Sequence, residues 1–506
     1  MTVIDMRAVG RATMAWSLLG LAVVATACQR STSGPGALRI AYQREMISLD
    51  PHAHEDSMTE AVLGAVYEGL VCFERGLGVQ PALAERWTTP DDTTWRFWLR
   101  RGVRFHDGRL VTVEDVLRSL EKARTDPASR VASYLAPVTS VVRVPDDPYA
   151  FEIITRGPVP LMLPRLAEIA IVPWDVDPSR PTGTGPFRWM DGGLDGPVHL
   201  ERWSGYWGDP APVEEVELLF VTETAEPRSL VEGGRVDVLP SVTEAELASW
   251  TLPEGWSVVR LESDATYLLA LNQRMPPFDD PRVRTAIDLA IDRTALCRTA
   301  FPAGSAVPAR SLVPPGVFGY DDASVSPATD PEAARRLLRD AGVAPGSRVT
   351  LEHGGADPAV LDFLVESFGE VGLELEPIGL EYRTLLERSD TGVSPMYVFG
   401  WNFDYADSSG FLDAMVHAPD PSARLGLLNG TGFADPTVDR WIEEAAVGTS
   451  TGERLQRLRW ALAAVLEARP YLPLYHRSRL ALVRDGLEID PRIDSMARPQ
   501  EIRWLE

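Results

Sequence analysis

Seven histidines, three cysteines and a surplus of carboxylates are the side chains available for chemistry in this 506-residue sequence. His52 and His54 stand two apart with Glu55 adjacent, and on a strand such residues share a face. A structural zinc takes four ligands, and a histidine pair without a third ligand is a poor start, so no metal site is expected. Cys72 and Cys297 each lie in an apolar segment and read as buried thiols. No CxxC spacing points to a metal or redox centre. No HExxH occurs. GTSTG (448–452) has the letters of a nucleophile elbow, but that elbow needs a strand before the Ser and a helix after it. Here the segment joins two helical patterns, so Ser450 is expected in a loop or as a cap. GTGPF (183–187) lacks the GxxxxGK[ST] of a phosphate loop. Gly234–Asp237 reads as a turn and strand start, not as an acid–base dyad. The expectation is a protein with no catalytic residue, no cofactor and no enzyme activity.

Composition narrows the classes further. The formal charge is −24, and Lys122 is the one lysine. Nucleic-acid binding draws its affinity from cations that replace counterions on phosphates, so nucleic acid is not an expected partner. Apolar residues at 45% suit a globular chain.

The N-terminus carries a different signal. Arg7 and Arg11 precede an apolar stretch from Ala12 to Ala27, shorter than the about 20 residues a spanning helix needs. Ala25, Thr26 and Ala27 then precede Cys28. A charged start, an apolar middle and small residues before a cut make a secretory signal, and the cysteine directly after the cut resembles a bacterial lipoprotein signal. Residues 1–27 are therefore expected to be removed and Cys28 acylated, with the polar, Gly/Ser-containing stretch 28–36 as a flexible tether. Two acyl chains suffice for stable anchoring.

The elements that must position any site follow from periodicity. Leu38–Tyr42 and Thr94–Leu99 alternate as strands. Glu60–Leu70 reads as a helix. Thr112, with Asp115 in a capping-box position, should start a helix whose apolar stripe is Val113, Val116, Leu117 and Leu120. Short strands and turns are expected over Val142–Val172. Further strands are expected at Val216–Phe220, Val236–Leu239 and Tyr267–Leu271, with a short helix over Glu226–Glu232. Asp330, Pro331 and Gly342 bracket a helix. Strands at Val349–Leu351, Leu373–Pro377 and Met396–Trp401 alternate with helices at 358–371 and 382–389, an α/β pattern. Helices at 436–446 and 451–468 follow, and strands return from Pro470. The strand-rich first half gives way to a helix-rich region at about 273.

Several segments in order resemble the family-5 extracytoplasmic solute-binding proteins of ABC importers, the oligopeptide- and dipeptide-binding group. They are SLDPH (48–52), YEGLVCFE (67–74), PALAERW (81–87), TWRFWLRRGVRFHDGRLVTVEDVLRSL (94–120) and GTGPF (183–187). ERWSGYWG (201–208), LVEGGRVDVL (230–239), LNQRMPPFDDPRVRTAIDLAIDR (271–293), GWNFDYADSSGFL (400–412) and RPYLPLY (469–475) continue the series. The resemblance implies an α/β, two-lobed periplasmic-binding-protein-like fold with an extra inserted domain and a ligand cleft between the lobes. Mapped onto this chain, a base domain takes 37–53, 177–264 and 475–506, the insert takes 54–176, and the second lobe takes 265–474.

The resemblance also implies a site. In the family a buried carboxylate meets the α-ammonium of a peptide, and the matching residue is Asp404. Gly400 and Asn402 would offer backbone groups, Trp401 a cleft wall, and Tyr405 completes the Asp-Tyr pair. Glu55 and Ser57 fall on contact positions after SLDPH, and Asn272 is a further candidate at a strand end. Many members continue after Asp-Tyr with Asp-Pro or Glu-Pro, whereas this chain has Ala406-Asp407-Ser408, which should leave the loop less fixed. The acidic trio at 404, 407 and 413 reads as a solvated loop face. The expected partners are a short peptide, the permease of an ABC importer and a membrane reached through Cys28, with the chain itself a monomer. Non-peptide ligands of the same class are a nickel chelate, an oligosaccharide or an opine-like metabolite; a secreted hydrolase and a surface sensor are the readings outside it.

Overall fold

Three segments far apart in sequence build one mixed seven-stranded sheet. Its order is Trp256–Leu261, Arg479–Arg484, Val238–Val242, Leu38–Tyr42, Glu215–Phe220, Val198–Arg202 and Phe187–Asp191. Leu38–Tyr42 runs parallel to both its neighbours. Its alternation sends Leu38, Ile40 and Tyr42 into one core and Ala41 into another on the opposite face, as the two-residue period of a strand requires. The computed structural model describes residues 36–505 except 77, 176–178, 195, 222–226, 263, 449, 491 and 493. The expected signal segment and Cys28 lie outside the described residues. The chain divides into residues 1–37 and 38–506, and everything that follows concerns the second unit.

A second, six-stranded sheet has the order Ala306–Pro308, Tyr471–Arg477, Ala265–Leu271, Met396–Asn402, Ser347–His353 and Leu373–Gly379. Ala265–Leu271 is a central strand with cores on both faces, Leu269 and Leu271 toward one and Leu268 and Ala270 toward the other. Four helices around this sheet begin in the same way, with Asp280, Asp330, Asp357 or Asp435 at the N-cap and proline next. The aspartate accepts from a free backbone N–H, and the proline sits where no N–H is needed.

The two sheets exchange chain at two places. One is between Leu261 and Ala265, and the other is at Ser478, between Tyr471–Arg477 and Arg479–Arg484. The expected return near 474 falls inside a strand, because the strand that starts at Tyr471 stays paired with Thr266 and Tyr267 through His476.

A four-stranded antiparallel sheet, Ala84–Asp91, Thr94–Leu99, Ala150–Thr155 and Val138–Arg143, carries its own core. Phe97 and Phe151 stack there at 5.4 Å. The helix Val113–Thr125 starts with the expected Thr112–Asp115 capping box. Two expectations fail locally. The helix expected over Glu60–Leu70 covers Ser57–Leu63, because the backbone beyond it pairs elsewhere: Gly185 N donates to Val66 O and Phe187 N to Ala65 O. The strands expected up to Val172 give way to a helix, Met162–Ala167. Among the described residues no helix is long and apolar enough to cross a membrane.

Candidate functional site

The first wall of the site begins with the turn at 48–54. Ser48 Oγ accepts from Asp50 N, and Asp50 accepts from His52 N. Lys122 holds the other oxygen of Asp50 at 2.5 Å. His52 Nε2 lies 2.8 Å from Ala170 O, and burial lowers the His52 pKa. The turn is thus clamped to the inserted domain by both its acid and its base. Asp56 then caps the helix Ser57–Leu63 by accepting from Thr59 N, and it pairs with Arg44. This leaves Glu55 exposed and Ser57 half-buried at the edge of a cavity.

GTGPF is the peg that fits the inserted domain to the base. A Cβ on Gly183 would stand 2.1 Å from Val66 O, and one on Gly185 2.6 Å from Ala65 O, so neither position admits a side chain. Between them Thr184 Oγ1 donates to Glu68 at 2.7 Å, and Tyr206 Oη and Trp207 Nε1 donate to the same carboxyl at 2.8 Å each. Burial raises the pKa of Glu68. Farther along the same wall, the buried Arg492 donates to Asp494 at 2.7 Å and to Glu501 at 2.8 Å.

The second wall is the end of the strand Met396–Asn402. Gly400 lies opposite Tyr267, and a Cβ there would meet the Tyr267 ring at 2.9 Å. Trp401 packs edge-on against Phe411 at 5.6 Å. Asn402 is exposed opposite Ala265, and Phe403 is fully buried. A single 3-10 turn, Asp404–Ala406, follows. Tyr405 has φ +59° and Ala406 φ +45°. Two consecutive non-glycine residues in the left-handed region cost about 1–3 kcal/mol each. The side chain of Asp404 lies outside the described residues. Tyr405 turns across to the inserted domain, where its ring meets that of Tyr134 at 5.8 Å and 80°.

The loop beyond is not left loose by the missing proline. Asp407 is buried and takes two contacts from the Arg454 guanidinium, at 2.6 and 2.8 Å, and Arg454 also reaches Ser409 Oγ at 3.1 Å. An ion pair that proline could not make pins the segment. Two of the acidic trio, Asp407 and Asp413, do not form a solvated face either. Asp407 is spent on Arg454, and Asp413 is partly buried with its pKa pushed up to about 6, by burial first and then by Asp407.

The two walls enclose a cavity of about 650 Å³, within the range of small-molecule sites. Glu55, Ser57 and Tyr405 border it, together with Asp264, Tyr134 and Glu168. Gly400, Trp401 and Asn402 lie on the strand that leads to it. Asn272 is not brought there. It stands beyond the opposite end of the Ala265–Leu271 strand, fully buried, with Nδ2 donating to Gly392 O and Ser394 O and Oδ1 accepting from Arg274 N. Sequence reasoning missed Tyr134, Glu168 and the Arg492 network, and no local pattern marks them. His54 also borders the cavity, 5% exposed, with both ring nitrogens unpaired among the described residues. No group of three or more His, Cys, Asp or Glu among the described residues could hold a metal ion. Ser450 caps the helix Thr451–Ala468 by accepting from Glu453 N. Cys72 is half-buried and Cys297 buried, both as free thiols, and burial pushes Cys297 up to about 12.

Comparison with known proteins adds to this geometry. The model of the bacterial extracellular solute-binding proteins, family 5 (middle), matches residues 78–422. Di/tripeptide-binding protein 2 of Pseudomonas aeruginosa is 28% identical over 92% of this chain and 94% of its own. Heme-binding protein A of Haemophilus influenzae is 23% identical over 81% of each. In structure, the unliganded open form of the periplasmic murein tripeptide binding protein MppA superimposes with a TM-score of 0.80 at 20% identity, covering 93% of this chain and 98% of that one. The periplasmic binding protein DppA of Helicobacter pylori in complex with the peptide STSA gives 0.65 at 23% identity, covering 93% and 98%.

Proposed function

The chain belongs to the family-5 bacterial extracellular solute-binding proteins, and from that premise we propose that it captures short peptides and hands them to the permease of an ABC importer. It is a solute-binding component for ABC transport and not an enzyme. The observation that carries the peptide reading is the 650 Å³ cavity bordered by Glu55, Ser57 and Tyr134 on one side and by Asp264 and Tyr405 on the other. A ligand in such a cavity touches both lobes, so its binding energy favours their closure. The exposed end of the Met396–Asn402 strand supports main-chain pairing with an extended ligand, a mode that tolerates many side chains. Asp404, the residue after Phe403, is the proposed anchor for the peptide α-ammonium, with Gly400 and Asn402 as backbone partners and Trp401 as wall. Gln29–Gly36 would tether the protein to a lipid on Cys28.

The test is direct. The full chain is purified in mild detergent, its native mass recorded, and the small molecules released on denaturation identified. Short peptides are expected. A single non-peptide compound would overturn the peptide reading and the role given to Asp404. Asp404→Ala should then weaken peptides with a free amino terminus by about 10- to 100-fold, the size of one charge-assisted hydrogen bond, and leave N-acetylated ones unchanged. For the tether, Cys28→Ser should release the protein from membranes.

A further inference from the structure

One region of the cavity brings together side chains from four separate stretches of chain. His54 and Glu55 come from the turn before the helix Ser57–Leu63. Tyr134 comes from the 3-10 turn Val131–Leu135, and Glu168 from the end of the helix Met162–Ala167. Tyr405 reaches Tyr134 from the opposite wall.

The lining of the cavity carries eight carboxylates and two guanidiniums, Arg492 and Arg498, among the described residues. Both guanidiniums stand with Asp494, and Arg492 also with Glu501. Asp56 is paired with Arg44, and Glu68 accepts from three neutral donors. Glu55 differs from these. It is exposed and makes no hydrogen bond or ion pair with a described residue. The Tyr134 hydroxyl responds to the charge around it. Its pKa is raised, by burial first and then by Tyr405, Glu168 and Glu55. A field that disfavours the tyrosinate favours a cation in the same place.

His54 points to a ligand independently of that field. It is 5% exposed and lines the cavity, and neither ring nitrogen has a partner among the described residues. A neutral imidazole has one donor and one acceptor, and buried polar groups are as a rule hydrogen-bonded. A peptide with a basic side chain suits both. Its ammonium or guanidinium donates to the bare nitrogen, and a main-chain carbonyl accepts from the N–H. The Tyr134 and Tyr405 rings add faces that attract a cation within about 6 Å. The region does not suit a metal ion, since no group of three or more His, Cys, Asp or Glu among the described residues could hold one.

We infer that this region selects peptides with a lysine or arginine side chain, whose cationic head lies against Glu55 and Glu168 and donates to His54. The inference rests on the peptide reading above and names the class of peptide. The cation meant is the side chain, not the α-ammonium given to Asp404.

Calorimetry on the full chain tests this with tripeptides that share both termini and differ in one side chain. Lysine is placed in turn at each position of Ala-Ala-Ala and compared with norleucine, which has the same carbon chain without the ammonium. At one position or more, lysine should bind about 10- to 100-fold tighter than norleucine. Glu55→Gln and His54→Leu should each lower that ratio, and His54→Gln, which keeps a donor and an acceptor, should restore part of it. Thermal midpoints above the assay temperature are the control for folding. Equal binding of lysine and norleucine at every position, or a ratio unchanged in Glu55→Gln or in His54→Leu, overturns this assignment and leaves the peptide reading standing. No binding of any of these tripeptides overturns the peptide reading, and this inference with it.

Discussion

Two buried arginines, Arg492 in the first lobe and Arg454 in the second, face the same physical problem and serve different ends. The Arg492 side chain is 2% exposed and that of Arg454 7%. Each charge is tolerable only because carboxylates share its burial. Arg454 has one such partner, Asp407, and holds it with two contacts. Arg492 has two, and they respond differently. At Asp494 burial pushes the pKa up, but the hydrogen bond and charge of Arg492 outweigh it and leave it lowered. At Glu501 burial wins and the pKa is raised. Arg498 also acts on both carboxylates, from 3.9 Å at Asp494, yet the burial of Glu501 still outweighs the two guanidiniums. The difference matters because Arg492, Asp494 and Glu501 border the cavity, whereas Arg454 stands behind the loop that carries Tyr405. The first network, which also includes Arg498 at 3.9 Å from Asp494, faces the space a ligand would enter; the second only holds a wall in place.

The sharpest way to break this comparison is to remove each arginine. Arg492→Ala and Arg454→Ala should each destabilise the fold by about 3–5 kcal/mol, because a buried carboxylate loses its partner, as read by denaturant unfolding. Binding should separate them. Arg492→Ala should change ligand affinity even where the protein remains folded, and Arg454→Ala should change it much less. Equal effects on binding would mean that the two networks do the same job.

Asp413 gives a smaller, pH-dependent effect confined to the second lobe. Folding raises its pKa from 3.8 to about 6, so the folded chain holds a proton that the unfolded chain releases. Its contribution is most favourable below pH 4 and is lost as the pH rises through 6. Asp413→Asn should abolish that loss and stabilise the protein at pH 7 by on the order of 2–3 kcal/mol relative to pH 4. Thermal unfolding of both proteins across that range checks it. A parallel pH dependence in the variant would remove Asp413 as the cause.

The smallest expected effect is at Ala406. With φ at +45°, Ala406→Gly should relieve strain and stabilise by about 1 kcal/mol. A loss of stability there would mean that the methyl packing of this buried residue outweighs its backbone strain.

Much of the fold was legible in the sequence because its signals are local. The Thr112–Asp115 box and the Asp330-Pro331 start are written within a few residues, and the structure has both. The alternation of Leu38–Tyr42 likewise predicts which residues face which core. The helix expected over Glu60–Leu70 failed for the opposite reason. What ends it after Leu63 is pairing with Gly185 and Phe187, more than a hundred residues away. Family resemblance made candidates of Glu55, Ser57 and Tyr405, which border the cavity, but not of Tyr134 and Glu168 beside them, since nothing around those two in the chain distinguishes them. The missing proline misled, because Arg454, which holds Asp407, lies in a separate helix.

The sequence by itself determined the class of element at most positions, the order of motifs that gives the family, and the acidic charge of the chain. These follow from periodicity, capping and composition, which act along the chain. Only the tertiary structure decided where charge is concentrated and where it is left uncompensated. Glu68 meets Tyr206 and Trp207, and Arg492 meets Glu501, because folding brings together groups whose separation in sequence carries no information about their separation in space. Electrostatic energies depend on that distance and on the water excluded around it, and neither quantity exists until the chain has folded.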